Sequence, residues 1–80
     1  MFHYVYLLRS LQSPERHYTG LTEDLETRLA KHNRGEVPST APYRPWRIDV
    51  AVAFREQAKA ADFERYLKSH SGRAFAKRHF

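Results

Sequence analysis

The 80-residue sequence contains no cysteine, few glycines and no long apolar run. Without cysteine there is neither a disulfide bond nor a cysteine-ligated zinc site, so packing must hold the fold together. No apolar stretch approaches the roughly 20 residues of a membrane-spanning helix, and no signal-peptide pattern stands at the start. We therefore expect a single domain over residues 1–80 that is soluble, cytoplasmic and without a membrane partner.

Acidic residues are the minority among the charged ones. The chain has 14 Lys and Arg against 9 Asp and Glu, a formal net charge of +5 and a pI near 9.9. Basic residues dominate after Tyr43, whereas the two signs balance before it. A basic surface favours a polyanionic partner, most often nucleic acid, although a mild excess also serves solubility.

The first segments predict a strand hairpin. Residues 2–8 are aromatic, β-branched and almost continuously apolar, which is typical of a strand covered on both faces. Residues 10–16 predict a turn, and residues 17–21 predict a second strand. Two strands this close in sequence pair most simply as an antiparallel hairpin.

A helix and a long loop come next. Asp24 is a candidate N-cap for a helix that runs to about residue 32, and Gly35 suits a left-handed cap at its end. Residues 36–45 contain Pro38, Pro42 and Pro45 and predict a loop. The length of this loop indicates a functional segment.

The second half of the chain returns to alternating and then to helical spacing. Residues 46–55 predict a third strand, residues 56–69 a second helix, and residues 73–80 a last short helix after a break at Ser71 and Gly72. The apolar strand residues expected on one side are Ile48, Val50, Val52 and Phe54. The predicted fold class is α+β, a three-stranded antiparallel sheet flanked by helices in the order β-β-α-β-α-α.

The hairpin brings two tyrosines together. If its turn centres near Gln12, Tyr6 lies opposite Tyr18, and Gly20 leaves an open space on the same face. The two tyrosines are either part of a site or a cross-strand aromatic pair that stabilises the sheet without chemistry.

Three further polar residues on the two long helices are candidates. Arg28 and His32 are four residues apart and project from the flank of a helix with an apolar side, which also describes a solvated face. Glu64 lies at the edge of the apolar stripe of the second helix, where a carboxylate needs a cation or a metal ion. Lys68, four residues later, offers the alternative of a surface ion pair.

Five segments carry a family pattern in order along the chain. They are Tyr4-Val5-Tyr6, Tyr18-Thr19-Gly20, the helix with Arg28 and His32, Arg44-Pro45-Trp46-Arg47, and the helix with Glu64. Each is common alone, but the five together at fitting separations are specific. The chain from residue 2 to about residue 77 resembles the GIY-YIG nuclease domain, most closely its small stand-alone bacterial members.

The sequence departs from this family pattern at three places. Tyr4 stands where the first motif begins with glycine, and Thr19 stands in the middle of the second motif. Larger members have an asparagine downstream of the glutamate, whereas no Asn follows Asn33 here. The alternative of a catalytically weak or inactive nucleic-acid-binding module on the same fold therefore stays open.

The resemblance implies a nuclease or endonuclease that hydrolyses phosphodiester bonds with one metal ion. Glu64 would hold Mg²⁺ or Mn²⁺, and Arg28 would stabilise the pentacovalent phosphate. Tyr6 is the implied general base, with its pKa lowered by Arg28 or the metal, and Tyr18 orients the water or phosphate. His32 relays the proton or hydrogen-bonds a tyrosine hydroxyl.

Nucleic acid is the implied partner, with DNA favoured over RNA. Arg44, Arg47 and Lys68 are the candidate nucleic-acid-binding residues. Trp46 either stacks on a strand together with its basic neighbours or packs in the core.

Overall fold

A three-stranded antiparallel sheet lies at the centre of the domain, and the computed structural model describes all of residues 1–80. The strands are β1 (His3–Ser10), β2 (His17–Thr22) and β3 (Trp46–Phe54), arranged in the order β2-β1-β3. The most apolar strand, β1, is therefore central and is covered on both faces, as its composition predicted.

Three α-helices complete the fold: α1 (Leu25–Asn33), α2 (Gln57–Leu67) and α3 (His70–His79). A single turn of 3-10 helix, Ala41–Tyr43, lies within the predicted loop. The predicted α+β class and the order β-β-α-β-α-α are confirmed. None of the helices has the length and apolarity to span a bilayer.

The apolar residues divide between the two faces of the sheet. On the first face, which we call the α2/α3 face, β1 packs against two helices through Val5, Leu7, Ala60, Leu67 and Phe75. On the second face, which we call the α1 face, the packed residues are Tyr6, Leu8, Leu25, Leu29 and Trp46. Each face thus has its own core.

The predicted register of the β1–β2 hairpin is wrong by two residues. Tyr6 pairs with Gly20 instead of Tyr18. The turn closes with the Ser10 N–H donating to the Arg16 carbonyl at 3.1 Å, so its centre lies one residue later than predicted. Because side chains alternate with a period of two, Tyr6 and Tyr18 still project from the same face.

A bulge in β3 changes the predicted alternation of that strand. The pairing with β1 shifts between Ile48 and Val50, which leaves Asp49 as the extra residue. Val50 packs on the α2/α3 face and Ile48 on the α1 face, so the prediction that both share one side is wrong. The Asp49 carboxylate is held by Arg9 Nε at 2.8 Å and Arg47 Nε at 2.9 Å.

Helix α1 has the two ends that its sequence predicted. The Asp24 carboxylate accepts the Thr27 N–H at 3.1 Å and caps the first turn. At the other end Gly35 has a φ of 78°, in the region that favours glycine, and its N–H donates to the His32 carbonyl at 3.2 Å. These caps fix the length of the helix that carries the candidate residues.

Helix α3 begins earlier than predicted. Ser71 and Gly72 do not break the chain, because Ser69 caps the helix by accepting the Gly72 N–H at 3.1 Å, and the helix starts at His70. Gly72 is buried against the Tyr66 carbonyl of α2, where a Cβ atom has no room. The missing side chain therefore lets α3 pack closely on α2.

Gly72→Ala is expected to destabilise the domain, because the added methyl group collides with the backbone of α2. The free energy of unfolding should fall by about 1–3 kcal/mol, the usual range for overpacking. Urea denaturation measures this change, with Ser71→Ala at the exposed neighbouring position as the control. Equal stability of the two variants would contradict the close packing of α3 on α2.

Candidate active site

The hydroxyl group of Tyr6 is the centre of the candidate site. The side chain is only 1% exposed and extends from the central strand over the α1 face. Two residues of α1 reach the hydroxyl: His32 Nε2 lies 3.1 Å away, and Arg28 Nε donates to it at 3.3 Å. The structure thus brings together three residues that the sequence predicted for one site.

Gly20 makes room for this geometry. It pairs with Tyr6 across the hairpin, and a Cβ atom there would collide with the Tyr6 hydroxyl and ring. The open space predicted at Gly20 is therefore filled by Tyr6 itself.

His32 is fully buried, which corrects its predicted place on the flank of the helix. Hydrogen-bond partners draw it inside: its Nδ1 lies 2.7 Å from Thr40 Oγ1, and the Thr40 hydroxyl donates to the Val37 carbonyl at 3.3 Å. Because a hydroxyl has a single proton, the proton between His32 and Thr40 belongs to Nδ1. Nε2 is then free to accept.

The hydrogen bonds of the Tyr6 hydroxyl also indicate that the His32 proton is on Nδ1. Its oxygen accepts from Arg28, so its proton can donate to His32 Nε2. A proton on Nε2 would leave the Tyr6 proton without an acceptor in a buried position, which is unfavourable. The hydrogen bonds therefore run in one direction, from Tyr6 through His32 to Thr40.

Burial favours the neutral forms of both rings. Burial raises the pKa of Tyr6, the hydrogen bond and charge of Arg28 oppose this rise, and the charges of Tyr18 and Glu64 add to it. Burial, followed by the charge of Arg28, lowers the pKa of His32. Arg28 acts on the Tyr6 pKa in the predicted direction, but among the protein groups burial outweighs it, so any net lowering of the pKa would have to come from the metal.

Tyr18 and Arg28 line the same site. The Tyr18 ring lies edge-on to His32 with ring centroids 5.0 Å apart, and its centroid is 6.4 Å from that of Tyr6. The hydrogen bond to Tyr6, together with the nearby Tyr18, raises the pKa of Arg28 and keeps it charged. Arg28 uses its Nε toward Tyr6, so the terminal nitrogens of the guanidinium remain for an anion such as phosphate.

Glu64 lies on α2 and forms no hydrogen bond or ion pair with Tyr6, Arg28 or His32. Its side chain is 24% exposed, and its Oε2 pairs with Lys68 Nζ at 3.1 Å, as the ion-pair alternative predicted. Its charge is close enough to raise the Tyr6 pKa. The domain has no group of three or more potential metal-ligating side chains, so Glu64 does not belong to a multi-residue metal cluster. That donor fits Mg²⁺ or Mn²⁺, which take oxygen ligands and keep several waters when few carboxylates bind them.

Comparison with known proteins identifies the family. The sequence model of the GIY-YIG catalytic domain matches residues 2–78 of the chain. The chain belongs to the GIY-YIG catalytic domain family. The resemblance drawn from the five ordered segments is thus confirmed.

Relatives and a solved structure agree with this GIY-YIG assignment. The chain is 42% identical over 74 residues to the structure-specific endonuclease subunit SLX1 of Malassezia globosa, and 36% identical over 75 residues to that of Candida dubliniensis. It spans only 16% and 26% of the lengths of these fungal proteins. The solution NMR structure of a UPF0213 protein from Bacillus halodurans matches with a TM-score of 0.57 and 32% identity, over 96% of this chain and 81% of that chain.

Three of the residues predicted to contact nucleic acid in this GIY-YIG domain differ in exposure, because Trp46 is buried whereas Arg44 and Arg47 lie on the surface. Trp46 is 4% exposed and its Nε1–H donates to the Thr40 carbonyl at 2.9 Å, so the core interpretation is confirmed and stacking on a strand is wrong. Arg44 and Arg47 are exposed, and Arg47 shares the Asp49 carboxylate described above.

Thr40 is the residue that sequence reasoning missed. It is 1% exposed and orients His32 from the loop that joins α1 to β3. The length of that loop indicated a functional segment, but no local pattern distinguished Thr40 within it. Only the folded loop places its hydroxyl against His32.

Thr40→Val is expected to remove the preference of His32 for the tautomer protonated at Nδ1, because valine cannot accept a hydrogen bond from Nδ1. Thr40→Ser keeps the hydroxyl and is the matched control. The chemical shifts of the His32 ring nitrogens, measured by NMR, should show a protonated Nδ1 in the parent and in the serine variant. In the valine variant they should show a smaller fraction of this tautomer. Identical shifts in all three proteins would rule out the orienting role of Thr40.

Proposed function

We propose that this domain is a metal-dependent nuclease that hydrolyses phosphodiester bonds in nucleic acid, with Tyr6 as the general base. The observation that carries the proposal is the buried Tyr6 hydroxyl between His32 Nε2 and Arg28 Nε. Membership of the GIY-YIG catalytic domain family and the endonuclease names of both fungal relatives support it.

In the proposed reaction Tyr6 acts as a phenol, in keeping with its raised pKa. The attacking water gives a proton to the Tyr6 oxygen while the Tyr6 proton passes to His32 Nε2. His32 can take this proton because the hydrogen bond to Thr40 keeps the existing one on Nδ1. No free tyrosinate is needed at any stage.

Arg28, Tyr18 and Glu64 are proposed to act on the phosphate. Arg28 donates to the non-bridging oxygens through its terminal nitrogens, where the negative charge increases in the transition state. Tyr18 positions the phosphate or the water beside Tyr6. Glu64 is the proposed ligand of one Mg²⁺ or Mn²⁺ ion, which when bound supplies a Lewis acid for the leaving 3′ oxygen.

DNA is the proposed substrate, ahead of RNA. The net charge of +5 supports a polyanion, and the relatives' name, structure-specific endonuclease subunit, supports recognition of nucleic-acid shape with cleavage within the strand. A chain without cysteine also suits a reducing compartment, so we propose that the domain works in the cytoplasm.

A second candidate is a module that binds nucleic acid without cutting it. The ion pair between Glu64 and Lys68 favours this function, because it engages the carboxylate proposed to bind the metal. The absence of an asparagine after Asn33 supports the same candidate. A cleavage assay separates the two.

Glu64→Gln is expected to abolish cleavage while leaving folding and nucleic-acid binding intact, because it removes the charge that binds the metal. Labelled single-stranded, duplex and branched DNA and RNA are incubated with the protein in Mg²⁺, Mn²⁺ or EDTA. Glu56→Gln is the matched control, since it breaks an exposed Glu–Lys pair of the same 3.1 Å length at the start of α2. Cleavage by Glu64→Gln at the parent rate would reject the metal assignment, and no cleavage by the parent on any substrate would favour the binding module.

Tyr6→Phe is expected to lower the cleavage rate by at least ~10²-fold, the usual contribution of a general base. The ring that fills the space above Gly20 remains, so the fold should persist, as circular dichroism would verify. Tyr66→Phe, at a tyrosine that is 41% exposed, controls for loss of a hydroxyl elsewhere. A near-normal rate for Tyr6→Phe would assign the proton to another acceptor.

A further inference from the structure

A groove of about 610 Å³ crosses the α2/α3 face between the sheet and helix α3. Its floor is apolar and includes Leu7, Leu67 and Ala76. Its rim includes the basic residues Lys68, Arg73 and Lys77, and its one carboxylate, Asp49, is paired with Arg9. The mechanism proposed above uses neither this floor nor the cations of α3.

Arg73 and Lys77 have no carboxylate partner within ion-pair distance, whereas Lys68 is paired with Glu64. The two α3 residues are four positions apart and therefore lie on the same side of the helix. Like charges at this spacing destabilise a helix. Two uncompensated cations above an apolar floor thus form a surface that a polyanion complements.

The groove and the candidate active site lie on opposite faces of the sheet and meet at Tyr18 of the edge strand β2. Tyr18 lines the groove and also packs against His32. Lys68 lines the groove and also binds Glu64. A strand held at Tyr6 and Arg28 would therefore turn around the edge of the sheet at Tyr18 to enter the groove.

We propose that this groove binds the sugar-phosphate backbone of the substrate strand next to the cleaved bond, with Arg73 and Lys77 contacting phosphates. The floor accepts the apolar faces of the sugars and bases. Phe80, which is 42% exposed and also lines the groove, offers a ring on which a base stacks. This inference rests on the proposed function for its substrate class and adds the path of the strand across the domain.

The test measures binding in EDTA, so that cleavage plays no part. Fluorescence anisotropy follows the parent, Arg73→Ala, Lys77→Ala and Arg78→Ala with a labelled DNA strand, single or in duplex, over a range of salt concentrations. Arg78 is the matched control, because it is an unpaired cation of the same helix that lies outside the groove. Each groove variant should weaken binding severalfold and reduce the slope of log K against log salt by about one, and Arg78→Ala should leave that slope unchanged.

The groove assignment would be overturned if all three variants changed the affinity and its salt slope equally for both single-stranded and duplex DNA. Displacement of the labelled strand by poly-glutamate as efficiently as by unlabelled DNA would assign the groove to an acidic protein instead. These outcomes are distinct from failure of the proposed function: a protein that cuts nucleic acid without using Arg73 or Lys77 refutes the groove alone. A protein that binds through the groove and never cuts refutes the nuclease alone.

Discussion

The ring of Tyr6 occupies the space that a side chain at residue 20 would fill, and the candidate site depends on this contact. The pairing of Gly20 with Tyr6 lets the ring lie over β2 and carry its hydroxyl to Arg28 and His32 on α1. A tyrosine on a central strand is otherwise a packing residue. The absent Cβ atom of Gly20 and the two polar partners give Tyr6 the geometry that the proposed reaction requires.

The two faces of the sheet are stabilised by different interactions. The α2/α3 face packs apolar side chains and supplies stability through area removed from water. On the α1 face the buried polar residues Ser10, His32 and Thr40 all have partners, and no buried side-chain nitrogen or oxygen lacks one. Buried polar groups are costly when unpaired, so a fully partnered network permits few alternative arrangements. The rigidity that orients Tyr6 therefore comes from hydrogen bonds.

What the sequence predicts well is local. The strands, the Asp24 cap and the Gly35 cap follow from neighbouring residues, and the ordered motifs placed Tyr6, Arg28 and His32 in one site. The register of the hairpin and the bulge in β3 depend on contacts between distant residues, as in the pairing of Arg9 with Asp49. Thr40 belongs to the same group, because its role exists only after the loop folds against His32. Apolar periodicity also misplaced His32, since its hydrogen bonds take it into the interior.

Burial constrains the proposed relay, because it disfavours the charged forms of both rings, the tyrosinate and the imidazolium. Burial raises the pKa of Tyr6 and lowers that of His32, so each ring alone is a poor carrier of charge. A relay through both avoids the buried tyrosinate and forms an imidazolium only as the attacking water loses its proton. Arg28 opposes that imidazolium when the site is empty, because its charge lowers the His32 pKa. A bound phosphate would neutralise Arg28 and make His32 more basic, so the proposed relay gains proton affinity when its substrate is in place.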